Sequence, residues 1–204
     1  MTNNALKNTS LSDVASIAAG YPLRGSADAL SAGDVSFVQI RNIAPNTGVN
    51  WNSVAKVSLP TPKFSNWLEN GDIIFIARGS NNYALALDKL PKKTVCAPHF
   101  FVLRIKSNDL IIPDFLAWQI NQKPAQNYFK KTAVGSHLLN IRRPALESLK
   151  IAIPPLRKQK LIVNMWKAGV AEQEAMQHLI QTRNKQLEAV AVGLFKNNGG
   201  QSHG

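Results

Sequence analysis

The chain has 204 residues, 45% of them hydrophobic, which is enough for one well-buried domain of about 150 residues plus an extension and excludes a disordered protein. Its net charge is +12, with 17 basic and 9 acidic groups in residues 1–153 and 7 and 3 in residues 154–204, a balance that points to nucleic acid ahead of an anionic membrane or an acidic protein. One cysteine, Cys96, excludes an internal disulfide and a Cys-rich zinc site, and no stretch reaches the ~18 apolar residues of a membrane span, so the default expectation is a soluble cytoplasmic protein.

In chain order, residues 1–10 are polar and are expected to be loosely ordered, and Leu11–Ala18 reads as a short helix capped by Ser10 or Ser12 and ended by Gly20. Val35–Ile40 alternates as a strand, followed by Arg41-Asn42-Ile43 and a turn at Pro45–Gly48, and a further strand covers Val54–Leu59. The clearest strand signal is Gly71–Gly79, where a Gly-Asp turn launches the β-branched and aromatic run Ile73-Ile74-Phe75-Ile76; this predicts a buried central strand. Tyr83–Leu87 and Thr94–Ile105 read as two more strands, joined by a loop that carries Lys89, Lys92 and Lys93. Pro113 opens a helix through Trp118 and Gln119, and a second helical piece through Tyr128 and Phe129 ends at Lys130 and Lys131, where cations suit the negative end of the helix dipole. Leu146–Ile153 reads as a final strand or turn.

After Pro154-Pro155 some forty residues follow without a proline, rich in Ala, Leu, Gln, Lys and Glu. They predict one helix of roughly 60 Å, twice the diameter of a small domain. Alternating steps of four and three from Ile162 visit Trp166, Gly169, Gln173, Met176, Ile180, Arg183, Leu187, Val190 and Leu194, and seven of these ten positions are apolar. Such a heptad-like seam is built to meet another helix. The polar, glycine-rich tail 197–204 is expected to be disordered.

No catalytic constellation emerges. Ser136 and His137 are neighbours whose side chains diverge in extended chain, Cys96 sits in apolar sequence, the four histidines lack metal-ligand spacing, and no glycine-rich phosphate loop is present. A methyl-donor site is missing, and Asp114, Glu147 and Lys150 have the wrong spacing for a metal-dependent nuclease. Three segments instead mix arginine and asparagine, which read base edges, with lysine and Gly-Ser backbone, which hold phosphate. They are Arg24-Gly25-Ser26, Arg78-Gly79-Ser80-Asn81-Asn82, and Lys130-Lys131 through Ser136-His137 to Asn140-Arg142-Arg143. From Phe115 to Ala145 there is no acidic residue at all. The candidate DNA contacts are therefore Arg24, Arg78, Asn81, Asn82, Ser136, His137, Asn140, Arg142 and Arg143, with Lys92, Lys93, Lys130 and Lys131 on phosphate.

The order Leu11-x-Asp13-Val14-Ala15-x-Ile17-x-x-Gly20-Tyr21-Pro22-Leu23-Arg24, then Gly71–Gly79, then Val134-Gly135-Ser136-x-x-x-x-Ile141, then Ile151-Ala152-Ile153-Pro154-Pro155-Leu156-x-x-Gln159-x-x-Ile162-Val163 resembles the specificity subunit of type I restriction-modification enzymes. The resemblance implies an α+β fold, a mixed β-sheet target recognition domain over 1–153 followed by a long helix over 154–196 that forms an antiparallel coiled coil. It also implies a non-catalytic protein without a cofactor of its own, which directs methyltransferase (modification) subunits, and with them a restriction subunit, to double-stranded DNA. Relatives carry two such units in tandem, whereas this chain has one; its completion as a homodimer through Ile162, Trp166, Met176, Ile180, Leu187, Val190 and Leu194 would imply a palindromic bipartite target. The rival expectation is a protein-interaction scaffold or inhibitor that uses the same fold without reading DNA.

Overall fold

The computed structural model describes residues 7–23, 33–44, 48–59, 67–79, 81–133 and 139–198. It is a mixed α+β structure ending in a long helix. The chain forms two compact units, the first running to Val163 and the second from Asn164 onward.

At the amino terminus, β1 (Lys7–Ser10) leads into α1 (Leu11–Val14) and β2 (Ala15–Ala19). The expected helix through Ala18 is thus only one turn. Its start is held where Asp13 accepts from the Ser10 N–H at 2.9 Å and the Thr9 hydroxyl at 2.7 Å. Its end is forced by tertiary pairing, because Ala15–Ala19 lies antiparallel to β11 (Phe100–Ile105), burying Ala15 and Ile17 and leaving Ser16 exposed. Gly20 does not cap a helix; a Cβ there would lie 2.0 Å from the Ala97 carbonyl oxygen, so the backbone passes where only glycine fits. The expectation of loose order over residues 1–10 also fails at its end, since β1 pairs with β13 (Lys150–Ile153) in register Lys7↔Ile153 to Ser10↔Lys150. Ladder hydrogen bonds need only backbone, so a polar strand leaves no hydrophobic trace in sequence.

The strand expected within Val35–Ile40 is β3 (Val35–Val38); a 3-10 turn, Ile40–Asn42, follows, and β4 (Ile43–Ala44) and β5 (Gly48–Val49) pair as a short ladder. Beyond β6 (Ala55–Val57) lies β7 (Ile73–Ile76), continued by β8 (Arg78–Gly79), β9 (Ala84–Ala86) and β10 (Thr94–Cys96). A four-stranded sheet has the order β2-β11-β7-β9 and a three-stranded sheet the order β10-β3-β6, with β10 parallel to β3. The run Thr94–Ile105, read as one strand, is split between these two sheets. Pro98 cannot donate to a ladder, and at the Pro98-His99 turn the chain leaves one sheet for the other.

Two hydrophobic cores flank the four-stranded sheet. Ile73 and Phe75 of β7 and Leu103 of β11 belong to one, together with Phe115, Leu116, Ile120 and Phe129 from α2 (Pro113–Ile120) and α3 (Lys123–Thr132). Ile74 and Ile76 of β7 and Phe100 of β11 belong to the other, with Phe37, Val38 and Val95. All four β7 residues are buried, which explains an uninterrupted apolar run where a one-sided strand would alternate.

Three carboxamides finish the domain. Asn121 exchanges two 2.8 Å hydrogen bonds with the N–H and C=O of Ala84, closing the outer edge of β9. Gln119 does the same for Ala152 of β13, at 2.6 and 2.9 Å. Gln159, fully buried in the first turns of the last helix, α5 (Leu156–Asn198), accepts from Ile112 N–H and donates to the carbonyls of Leu110 and Pro154. With Val163 also buried, the first two turns of α5 belong to the domain unit. A short helix, α4 (Arg143–Glu147), precedes β13, and α5 spans 43 residues, about 65 Å.

Two outcomes test this packing. Gln159→Ala strands one buried N–H and two carbonyls and should lower unfolding free energy by about 3 kcal/mol, read from the denaturant midpoint. Burial pushes the Cys96 thiol up to about 12, so the native protein should resist thiol reagents at pH 8 and react only when unfolded.

Candidate nucleic-acid interface

Two of the basic segments, sixty residues apart in sequence, meet in one ladder. β7 delivers the chain into β8, and β8 pairs antiparallel with β12 (Leu139–Asn140), with Arg78 opposite Asn140 and Gly79 opposite Leu139. The Ile141 N–H donates to Ala77 O at 2.9 Å and locks the register. Arg78 is exposed and Asn140 half-buried, so a guanidinium and a carboxamide stand as neighbours across two strands. Arg142 follows at once and is exposed at the start of α4.

Asn81 is exposed on the same β8–β9 connection. Asn82 has a different place: it is only 7% exposed, and its amide donates to Ile76 O at 2.9 Å and Ala77 O at 3.4 Å. That side chain shapes the bend after β7 and is not offered to a ligand. Arg143 is exposed, yet its Nε donates to Glu147 one helical turn on at 2.7 Å, which halves the local positive charge. Lys130 and Lys131 are exposed in the last turn of α3, whose chain leads through residues 134–138 to β12. Tyr128 ties α3 to α4 by donating its hydroxyl proton to Ala145 O at 2.9 Å. Arg24, Ser136 and His137 lie outside the described residues.

Lys92 and Lys93 are not brought to this ladder. Gly71 N–H donates to Leu87 O and Leu68 N–H to Thr94 O, so the lysine loop sits at the opposite end of β7, about 20 Å from Arg78. Lys93 is moreover ion-paired with Asp34, and that ammonium holds the Asp34 carboxyl below the usual range. One basic residue was passed over in sequence. Gly79 lies close enough to Ile40 that an added Cβ would sit 3.9 Å from its Cδ1, which brings the 3-10 turn carrying exposed Arg41 beside the ladder. The signal was there, an Arg-Asn pair leaving a strand. Asn42 of that pair is structural, accepting from Gln39 N–H and donating to Ser53 O, each at 2.8 Å.

Among the described residues no group of three His, Cys, Asp or Glu side chains is placed to hold a metal. No described helix is long and apolar enough to cross a membrane. Within α5, Met176, Ile180, Leu187, Val190 and Leu194 of the expected seam are exposed, while Ile162 packs half-buried against the domain core and Trp166 is half-buried. Leu161, Met165 and Leu179, not counted in the seam, are exposed as well.

A family model described as the type I restriction modification DNA specificity domain matches residues 4–188. No curated protein matches the chain by sequence. Among solved structures, the chain is similar to the S subunit of a type I restriction-modification system from M. genitalium, with 19% identity, a TM-score of 0.59, and coverage of 96% of this chain and 48% of that one. It is also similar to the HsdS subunit from Thermoanaerobacter tengcongensis, at 15% identity and TM-score 0.57 over 86% and 39% of the two chains. A third similar chain comes from a structure of complex assembly and conformational transition of the type I R-M system, at 15% identity and TM-score 0.60 over 92% and 46%. The chain thus spans half or less of the length of each of these, and at such identities the likeness is one of fold.

Arg78→Ala and Asn140→Ala should each relax discrimination at one base position by about 1–3 kcal/mol, while Lys130→Ala should weaken all sequences alike and lower the salt slope by about 1. Asn82→Ala should cost stability instead. Competition binding on randomised duplexes, with thermal melts of each variant, separates the three effects.

Proposed function

This chain belongs to the family of type I restriction-modification DNA specificity domains, and on that premise we propose that it is the DNA-reading component of such a system, itself non-catalytic and without a cofactor. The observation that carries the proposal is the pairing of Arg78 with Asn140 at the end of a strand buried on both faces. A rigid scaffold thereby presents one arginine and one amide, the side chains that pair with guanine and adenine edges in the major groove. Arg142, Lys130 and Lys131 supply positive charge for the phosphates on the same acid-free stretch of chain. Asn81 and Arg41 extend the reading edge. Arg24, Ser136 and His137 are assigned to it from sequence, Lys92 and Lys93 to an outlying phosphate contact, and Arg143 to a contact weakened by Glu147.

The exposed seam of α5 supports a homodimer, and a two-fold dimer presents two identical reading domains to a bipartite palindrome. Methyltransferase subunits, which bring S-adenosylmethionine, are the partners, with a restriction subunit in the larger assembly. Co-expression with the cognate modification subunit, followed by sequencing of methylated sites, should return one palindromic motif with a fixed gap. Methylation without a motif would favour the scaffold reading. A non-palindromic bipartite motif would mean that the chain pairs with a different half-subunit.

A further inference from the structure

Hydrogen bonding in the β8–β12 ladder fixes which side chains share a face. In an antiparallel pair, positions that exchange main-chain hydrogen bonds alternate with positions that do not, and side chains stand closest at the latter. The Ile141 N–H donates to Ala77 O at 2.9 Å, one step outside the Arg78–Asn140 pair. Arg78 and Asn140 are therefore a non-hydrogen-bonded pair, with Cα atoms about 4.5 Å apart. Ala77 and Ile141 turn the other way, into the domain core, at 4% and 1% exposure.

The same alternation continues past the end of β12. Arg142 keeps an extended backbone, with φ −77° and ψ 150°, before α4 begins. Because Ile141 is turned inward, Asn140 and Arg142 both face outward, about 6.6 Å apart along the chain. Arg142 is held from both sides. Ile141 anchors it to the core, and its carbonyl accepts from the Ala145 and Leu146 N–H groups at 3.0 and 3.1 Å. Such a mount distinguishes it from Lys130 and Lys131, flexible point charges in the last turn of α3.

No hydrogen bond or ion pair to a described residue occupies the side chains of Arg78, Asn140 or Arg142, whereas neighbouring Arg143 is tied to Glu147. Three fixed and unpaired hydrogen-bonding groups thus share one face of a two-stranded ribbon, an element that the major groove admits. Their spacing suits stacked base pairs, which rise about 3.4 Å each. Arg78 and Asn140 can reach adjacent pairs, and Asn140 and Arg142 pairs two steps apart. Bidentate geometry gives each its base, with guanine O6 and N7 for an arginine and adenine N6 and N7 for an asparagine.

We propose that Arg78, Asn140 and Arg142 read one contiguous block of each half-site, an A·T pair with a G·C pair beside it and a second G·C pair two steps from it. Arg142 is then a specificity-determining residue that does not act through its charge alone. The proposal rests on the DNA-reading function and names the bases it takes. Selection from a randomised duplex library, with the full chain assembled on its cognate modification subunit, tests it. The wild-type motif should contain the block. R142K keeps the charge and loses the planar fork, so it should relax discrimination at the second G·C position about tenfold while the salt slope stays unchanged. N140A should relax the A·T position two steps away. In the selected duplex, 7-deazaguanine opposite Arg142 removes the N7 acceptor; it should weaken the wild-type assembly and leave the R142K assembly unaffected. A wild-type motif without the block, an R142K motif identical to wild type, or wild-type indifference to 7-deazaguanine overturns the assignment and leaves the DNA-reading function standing. If the wild-type assembly selects no motif at all, the DNA-reading function itself is overturned.

Discussion

β7 divides two hydrophobic cores, and every other placement in the domain follows from that constraint. Phe75 packs at a 5.1 Å ring-centroid distance on Phe129 on one side, and Ile74 and Ile76 face Phe100 and Val95 on the other. A strand buried on both faces cannot slip, because a one-residue shift would exchange the residues of the two cores. Its entry is pinned by Asp72, which is 2% exposed and accepts from Arg104 at 2.8 Å through both carboxylate oxygens. That carboxylate in turn raises the Arg104 pKa. Its exit, Ala77-Arg78, inherits the positional certainty of the cores. A side chain meant to find one base pair needs such a mount, since recognition tolerates errors well below a bond length.

Polar side chains deep in the domain serve the backbone. Asn121, Gln119 and Gln159 each satisfy main-chain groups that a finished sheet or helix end would leave unpaired. A primary amide has one acceptor and two donors in a plane, so it can replace a missing strand at a single residue. Asn42 and Asn82 work in the same way around the turns beside the β8–β12 ladder. Apart from Asp72, whose buried carboxylate is paired with Arg104, the described charged groups of the domain keep some exposure, and several lysines and arginines take a carboxylate neighbour there. Lys93 and Arg143 are such cases.

Much of the architecture was legible in residue order. The apolar run of β7, the proline-started α2 and α3, and the proline-free length of α5 with its exposed stripe each carry a local physical signature, and each element is found where that signature lies. The family, too, is written in the order of motifs from Leu11 to Val163, and its model matches residues 4–188. What escaped were decisions made by pairing. Ala15–Ala19 has the composition of a helix and becomes a strand because β11 needs a neighbour; Lys7–Ser10 has no pattern at all and becomes one because β13 does. Thr94–Ile105 looks continuous and is divided between two sheets at Pro98-His99.

By itself, then, the sequence determined the charge, the period of the long helix, the buried strand and the family, because composition and periodicity act locally and survive without knowledge of partners. Only the tertiary structure decided that Arg78 and Asn140 stand opposite each other while Lys92 and Lys93 lie at the far end of β7. It also decided that Asn82 is buried with its amide on the Ile76 carbonyl, and that Gln159 holds two turns of α5 within the domain. Those facts depend on which backbone groups find partners across sixty residues of chain, and hydrogen bonding between distant segments leaves no periodic mark on either one.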